Sequence, residues 1–196
     1  MATNARERLL DTAEELFYAQ GTRGTGIEQI LHVSGVGRAS FYRHFASKGA
    51  LVVAVLRRRR ERWATITVPR VLERGGHPLD TFDVLAERLE ETAFRGCAFL
   101  NTLVEIPDPA EPAHREAVEQ KDDQRAFFAQ CLAAHGYADK DGALARQLLM
   151  LYDGASVAGL REKSPRPAFD ARSVAELLLA ATPRTPPDPP PPPSAK

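Results

Sequence analysis

Residues 26–51 read GIEQILHVSGVGRASFYRHFASKGAL, and this stretch decides the fold. Ile27, Ile30 and Leu31 recur at helical spacing and Gly35 marks a tight turn. Val36, Phe41 and Phe45 supply the apolar side of the next helix. Between those aromatics lie Arg38, Ser40, Tyr42, Arg43 and His44, so one short helix carries many hydrogen-bond donors. Two short helices across such a turn, with donors on the second, make a helix-turn-helix, whose second helix enters a DNA major groove.

Working outward, residues 4–20 form an amphipathic helix with Asn4 as N-cap and Leu9, Leu10, Ala13, Leu16 and Phe17 on one face, stopped by Gly21. Thr25 can cap the next helix, and Glu28 three residues on completes a capping box. That helix is expected to reach about residue 33, the third to span about 38–45, and a fourth, capped by Ser47, to run to about 68 before Pro69. Leu51, Val52, Val55 and Leu56 are its buried stripe. Arginines 57–60 and Arg62 cover more than one turn and cannot share a surface. They read as the solvated face of a connector, or as a run from which one or two reach phosphate or the opposite domain.

Beyond residue 69 the pattern stays helical. Residues 79–94 place Phe82, Leu85, Ala86, Leu89 and Ala93 on one face, and 97–106 are apolar enough to be buried. After Pro107, Pro109 and Pro112, a long helix over 113–135 turns Val118, Phe127, Phe128, Cys131 and Leu132 inward. Two more helices are expected over 140–162 and 170–181. The chain is all-α with about nine helices: a three-helix helix-turn-helix head over 1–48, a connecting helix over 49–68, and a larger helical body over 69–182. The segment 183–196, PRTPPDPPPPPSAK, has the composition of an extended, disordered polyproline tail.

Composition narrows the function. The net charge is zero, yet residues 1–63 carry 11 Lys+Arg against 6 Asp+Glu and the remainder 15 against 20, a basic head on an acidic body. No apolar run approaches the roughly 20 residues that span a bilayer, and the start lacks the apolar stretch of a secretory signal. With two distant cysteines and no CxxC, a reduced cytoplasmic setting without a structural metal is expected. His114 and His135 lie too far apart in sequence to suggest a metal site. Enzyme signatures such as a Gly-rich phosphate loop, GxSxG or HExxH are missing, so neither catalysis nor a cofactor is expected.

The stretch from Arg8 to Leu56, and most specifically FYRHFASKGAL at 41–51, resembles the DNA-binding domain of TetR-family transcriptional repressors. Residues 95–106 resemble, more distantly, the start of the regulatory domain in one group of these proteins. The resemblance implies phosphate contacts from Tyr42, His44 and Lys48. Thr25 would add its hydroxyl and neighbouring N–H groups, as a helix N-terminus favours. Phe41 and Phe45, four apart, should lock the recognition helix to the first helix. Base reading falls to Arg38, Ala39, Ser40 and Arg43, with Arg43 equally suited to phosphate. Gly37 stands where the family usually has a capping hydroxyl, which removes one potential phosphate contact.

The resemblance further implies a homodimer on double-stranded DNA, a palindromic operator, and release by a small-molecule effector held in the body. Interface candidates are Leu144, Leu148, Leu151, Ala155, Gly159, Val174, Leu177 and Leu178, unless these are core within one subunit. Candidate cavity walls are Trp63, Phe82, Phe94, Phe99, Leu103, Phe127, Phe128 and Tyr152, with Asn101 and Glu105 as polar orienting groups, unless they too are core. With few charges among the inward positions, an apolar or aromatic effector is expected. The alternative is a thiol-based redox sensor working through Cys97.

Overall fold

The computed structural model describes residues 5–91 and 94–184; Asn4, Ala93 and the tail beyond 184 fall outside them. The helices are α1 (Ala5–Gly24), α2 (Ile27–Ser34), α3 (Arg38–His44), α4 (Lys48–Arg62), α5 (Val68–Glu73), α6 (Asp80–Leu89), α7 (Ala98–Glu105), α8 (Pro112–Ala134), α9 (Ala143–Glu162) and α10 (Arg166–Ala180). A π turn, Trp63–Thr67, joins α4 to α5 without a break, so the described residues form nine helical rods. Their only extended pairing is an isolated bridge between Tyr137 and Arg184.

Pro69 does not end the fourth helix as expected. It occupies the first turn of α5, where its missing N–H costs least, and the wider π turn before it absorbs the change of ladder. α6 ends at Leu89, earlier than the apolar pattern suggests. Gly21 does stop the regular part of α1: its φ of 81° and ψ of 162° break the helix, and a last turn follows to Gly24.

In the head, α1 buries Leu9, Leu10, Ala13 and Phe17 against Ile30, Val36, Phe41 and Phe45. At seven residues, α3 is far below the length at which an isolated helix holds in water. Phe41, fully buried, and Phe45 therefore fix it by packing, and burying one such ring is worth about 1.5–3 kcal/mol. The same apolar cluster continues through Leu51, Val52, Val55 and Leu56 of α4 to Phe99, Ala113 and Ala117 of the body. Head and body thus share a core across α4.

The body's own core lies between α6, α8, α9 and α10. Gly159 makes the α9–α6 approach possible, since a Cβ there would sit 2.5 Å from Leu89 Cδ2. The end of the body extends past residue 182. Ala138 N–H donates to Pro183 O at 3.1 Å, and the Arg184 guanidinium stacks on the Tyr137 ring at 4.6 Å while donating to its hydroxyl. Pro183 and Arg184 therefore belong to the folded body, not to the expected tail. No described helix is long and apolar enough to cross a membrane.

On α8 Phe127, Phe128, Cys131 and Leu132 are buried as expected, together with Ala113, Ala117, Gln120 and Gln124; Val118, read as inward, is exposed. Gln120 is fully buried, and among the described residues neither amide atom has a hydrogen-bond partner. An unsatisfied buried polar group costs about 1–3 kcal/mol. Gln120→Leu is accordingly expected to raise stability by about that amount in urea denaturation, moving the melting temperature up by about 2–4 °C per kcal/mol. A less stable variant would contradict this reading of the position.

Candidate nucleic-acid interface and ligand cavity

The turn between α2 and α3 is built on Gly35, which caps α2 in the left-handed region at φ 63°. Ser34 supports it, its hydroxyl accepting from Val36 N–H at 3.3 Å. Gly37 stands at the start of α3 with no side-chain cap, so the first turn of the recognition helix enters solvent without an anchor of its own. Arg38, Ala39, Arg43 and His44 are exposed, Ser40 is half-buried, and Tyr42 is 49% exposed with its ring edge-on to Phe41. The two phenylalanines face inward and the polar groups outward, as a recognition helix requires. Arg38 is engaged by Glu28 of α2 across the turn. Such an exposed pair is worth at most about 1 kcal/mol and yields readily to a nucleic acid.

Thr25 and Lys48 lie differently from the expectation. Thr25 is fully buried, and its hydroxyl donates to Gly21 O at 2.9 Å and Leu16 O at 3.3 Å. Gly26, not Thr25, caps α2, so no capping box forms with Glu28. The threonine hydroxyl is spent on closing α1 and is unavailable to phosphate. Lys48 is half-buried and donates to Thr22 O at 2.8 Å and Thr25 O at 3.0 Å, pinning the start of α4 to the α1–α2 junction. Among the described residues these two carbonyls are its hydrogen-bond partners, leaving a third donor uncommitted.

The same junction is gripped from the body. Because Gly21 leaves the helix, the N–H groups of Thr22 and Arg23 lose their α1 partners. Glu105, at the end of α7, accepts both with Oε2, at 2.6 and 3.1 Å, together with the Thr22 hydroxyl at 2.6 Å. Any side chain at residue 21 would meet the Glu105 carboxylate, 2.6 Å from an added Cβ. Glu105 therefore does not orient a ligand, as its place in an apolar helix suggests. It latches the head.

The arginine run on α4 is a second clamp, not a solvated face. Towards the head, Arg58, Arg59 and Arg62 converge on the buried Glu14 at 2.6, 3.1 and 2.8 Å, and Arg58 also meets Asp11 at 2.7 Å. Towards the body, Arg57 reaches Glu116 at 2.8 Å and Arg60 reaches Asp123 and Glu119, both at 2.6 Å. The Asp123 hydrogen bond holds the Arg60 pKa well above its ordinary value. Much of the basic excess of residues 1–63 is thus neutralised inside the molecule.

Between α1, α4, the π turn, α6, α7 and α9 lies a partly open cavity of about 310 Å³. Of the expected wall residues, Trp63, Phe94, Phe99 and Tyr152 line it. Phe82 and Phe128 belong to the body core, Phe127 packs beside Trp63 in a separate cluster, and Leu103 packs on the head core. Asn101 donates to Arg95 O at 3.2 Å, bracing the loop before α7. Sequence reasoning misses the polar part of the wall: Tyr18, Arg59, Arg62, Arg70, Arg88, Glu91 and Gln124. Burial lowers the Arg59 pKa, an effect Glu14 only partly offsets, while the ring of Tyr18 lies 4.4 Å from its guanidinium carbon. Four arginines against Glu91 make the wall cationic, contrary to the expected scarcity of charge. Cys97 also lines the cavity, whereas burial pushes the Cys131 thiol up to about 11 and makes it inert.

Of the interface candidates, Leu144, Leu148, Ala155 and Gly159 are buried in the chain's own core. Leu151 and Leu178 are half-buried, and Val174 and Leu177 face outward. The apolar residues exposed beside them are Met150 and Val157 on α9 and Phe169 on α10.

Fold and site define a helix-turn-helix transcriptional regulator. Residues 9–55 match the family described as bacterial regulatory proteins, tetR family. A TetR-family transcriptional regulator from Streptomyces coelicolor is 34% identical, with 90% of this chain and 94% of that one covered and a TM-score of 0.76. A TetR transcriptional regulator from Streptomyces avermitilis is 32% identical, covering 89% and 99%, at 0.73. The reduced form of the Escherichia coli repressor NemR superposes at 0.77 with 25% identity, covering 92% and 99%. In the curated relatives that the chain matches, the shared part spans 55% of the protein or less, and 28% of NemR. The chain belongs to the TetR family of transcriptional regulators.

The geometry separates Tyr42 from Lys48. Tyr42→Phe is expected to leave stability within about 0.5 kcal/mol, as for an exposed substitution. Lys48→Ala should lose about 1.5–3 kcal/mol with its two charged hydrogen bonds. Urea denaturation of the two variants distinguishes them; equal stabilities would show that Lys48 does not hold the junction.

Proposed function

We propose that the protein is a ligand-responsive repressor that binds a palindromic operator as a homodimer and leaves it when a small aromatic effector fills the cavity. The observation that carries this reading is that α4 and α7 each line the cavity at one end and hold the α1–α2 junction at the other. α7 presents Ala98 and Phe99 to the cavity and Glu105 to Thr22 and Arg23, over a length of about 12 Å. α4 presents Arg59 and Arg62 to the cavity and Lys48 to Thr22 and Thr25. A ligand that favours one spacing of these helices biases the position of the junction, and with it α2 and α3.

On the DNA, Tyr42, His44 and the remaining donor of Lys48 serve phosphate; Arg38, Ala39, Ser40 and Arg43 face the base edges. The dimer is proposed to form through the outward face of α9 and α10, with Met150, Val157, Val174 and Leu177 in place of the leucines buried within the subunit. Isolated apolar residues on a surface are ordinary, but four large ones on two adjacent helices mark an interaction face. Cys97 is treated as one wall contact of the cavity.

Two measurements test the proposal. With roughly 8 phosphates neutralised per dimer, operator affinity should fall about 10³- to 10⁵-fold between 50 and 200 mM salt. Affinity independent of salt would contradict it. Leu177→Asp should convert the dimer to monomer in analytical ultracentrifugation while the monomer keeps its helical content; a variant that stays dimeric would move the interface elsewhere.

A further inference from the structure

Resting on the proposed effector cavity, the geometry points to a small aromatic carboxylate as the ligand. Arg88 carries this assignment. It projects from α6 into the cavity, partly buried, and among the described residues no carboxylate comes within ion-pair distance of it and no hydrogen bond engages its guanidinium. Arg59 and Arg62 are instead satisfied by Glu14, and Arg70 is exposed to solvent. Burial works against the Arg88 charge, but Tyr152, Cys97, Tyr18 and, least, Glu91 favour it from nearby and hold its pKa above the ordinary value. A guanidinium withdrawn from solvent without a counter-ion is costly, and its planar fork matches a carboxylate.

The rest of the wall specifies the group that bears the carboxylate. Trp63, Phe94, Phe99 and Tyr152 surround the space, and about 310 Å³ lies at the small end of ligand pockets, enough for one or two rings. A bare inorganic anion would satisfy Arg88 and leave the aromatic walls uncovered. A neutral aromatic would cover the walls and leave Arg88 unpaired.

Calorimetric titration of the full-length protein with 2-naphthoate, its neutral isostere 2-naphthamide, and inorganic phosphate tests the assignment. Naphthoate should bind at least about tenfold more tightly than the amide and more tightly than phosphate. Arg88→Gln should abolish the preference for the acid. The wild-type comparison of acid with amide needs no variant, so a misfolded Arg88→Gln protein would not rescue the assignment. Equal binding of acid and amide overturns the carboxylate while leaving the effector cavity in place if the amide releases DNA, and a preference for the acid that survives Arg88→Gln overturns the role of Arg88. Phosphate binding as tightly as naphthoate overturns the aromatic part. Failure of all three probes to bind overturns the carboxylate and the effector cavity together.

Discussion

The carboxylate of Glu105 on the backbone of Thr22 and Arg23 is the contact on which the functional geometry depends. A recognition helix of seven residues has no independent stability and takes its position from the head core. That core is continuous through α1 and α2, and the chain between them is irregular because Gly21 leaves the helix. Two N–H groups and a hydroxyl are freed there, and a single oxygen from the body accepts all three. Hydrogen bonds to an ionised acceptor are the stronger kind, and this one joins residues 83 positions apart in the chain. Lys48 grips the carbonyls of the same segment from the other side.

The charge network on α4 complements this latch. Glu14 receives three guanidiniums, and losing such a buried partner would leave the α4 cations crowded against α1 without their shared counter-charge. The opposite face of α4 meets an acidic row on α8. Helix α4 is therefore held rigidly along its length, and its far end, with the π turn, forms the wall of the cavity. In the proposed response a change in the wall would displace whole helices, since packed interiors do not deform continuously.

Much of this is legible in the sequence. The all-α fold, the helix-turn-helix and the inward roles of Leu9, Leu10, Phe17, Phe41 and Phe45 follow from periodicity. Four of the aromatic cavity residues are legible as well. Three features are not, each for a physical reason. Glu105 closes an eight-residue helix apolar on nearly every side, so no pattern says which neighbour it faces. The arginine run looks solvated because its partners lie 44 to 63 residues away; the matching signal is the acidic spacing of Glu116, Glu119 and Asp123 on one face of α8. Arg88 is masked by its charge, although it stands three residues after the buried Leu85, at a position the apolar stripe would otherwise fill. Thr25 carries a misleading cue, since a capping hydroxyl and a buried hydroxyl closing the preceding helix look alike in sequence.

The most direct test of the coupling through Glu105 is a thermodynamic one. Operator affinity of wild type and Glu105→Gln is measured with and without a saturating ligand of the cavity, alongside ligand affinity of the free proteins. Transmission through the latch predicts that Glu105→Gln binds the ligand as wild type does, yet loses most of the ligand's effect on operator affinity. A variant in which the ligand still weakens operator binding by the wild-type factor would contradict it.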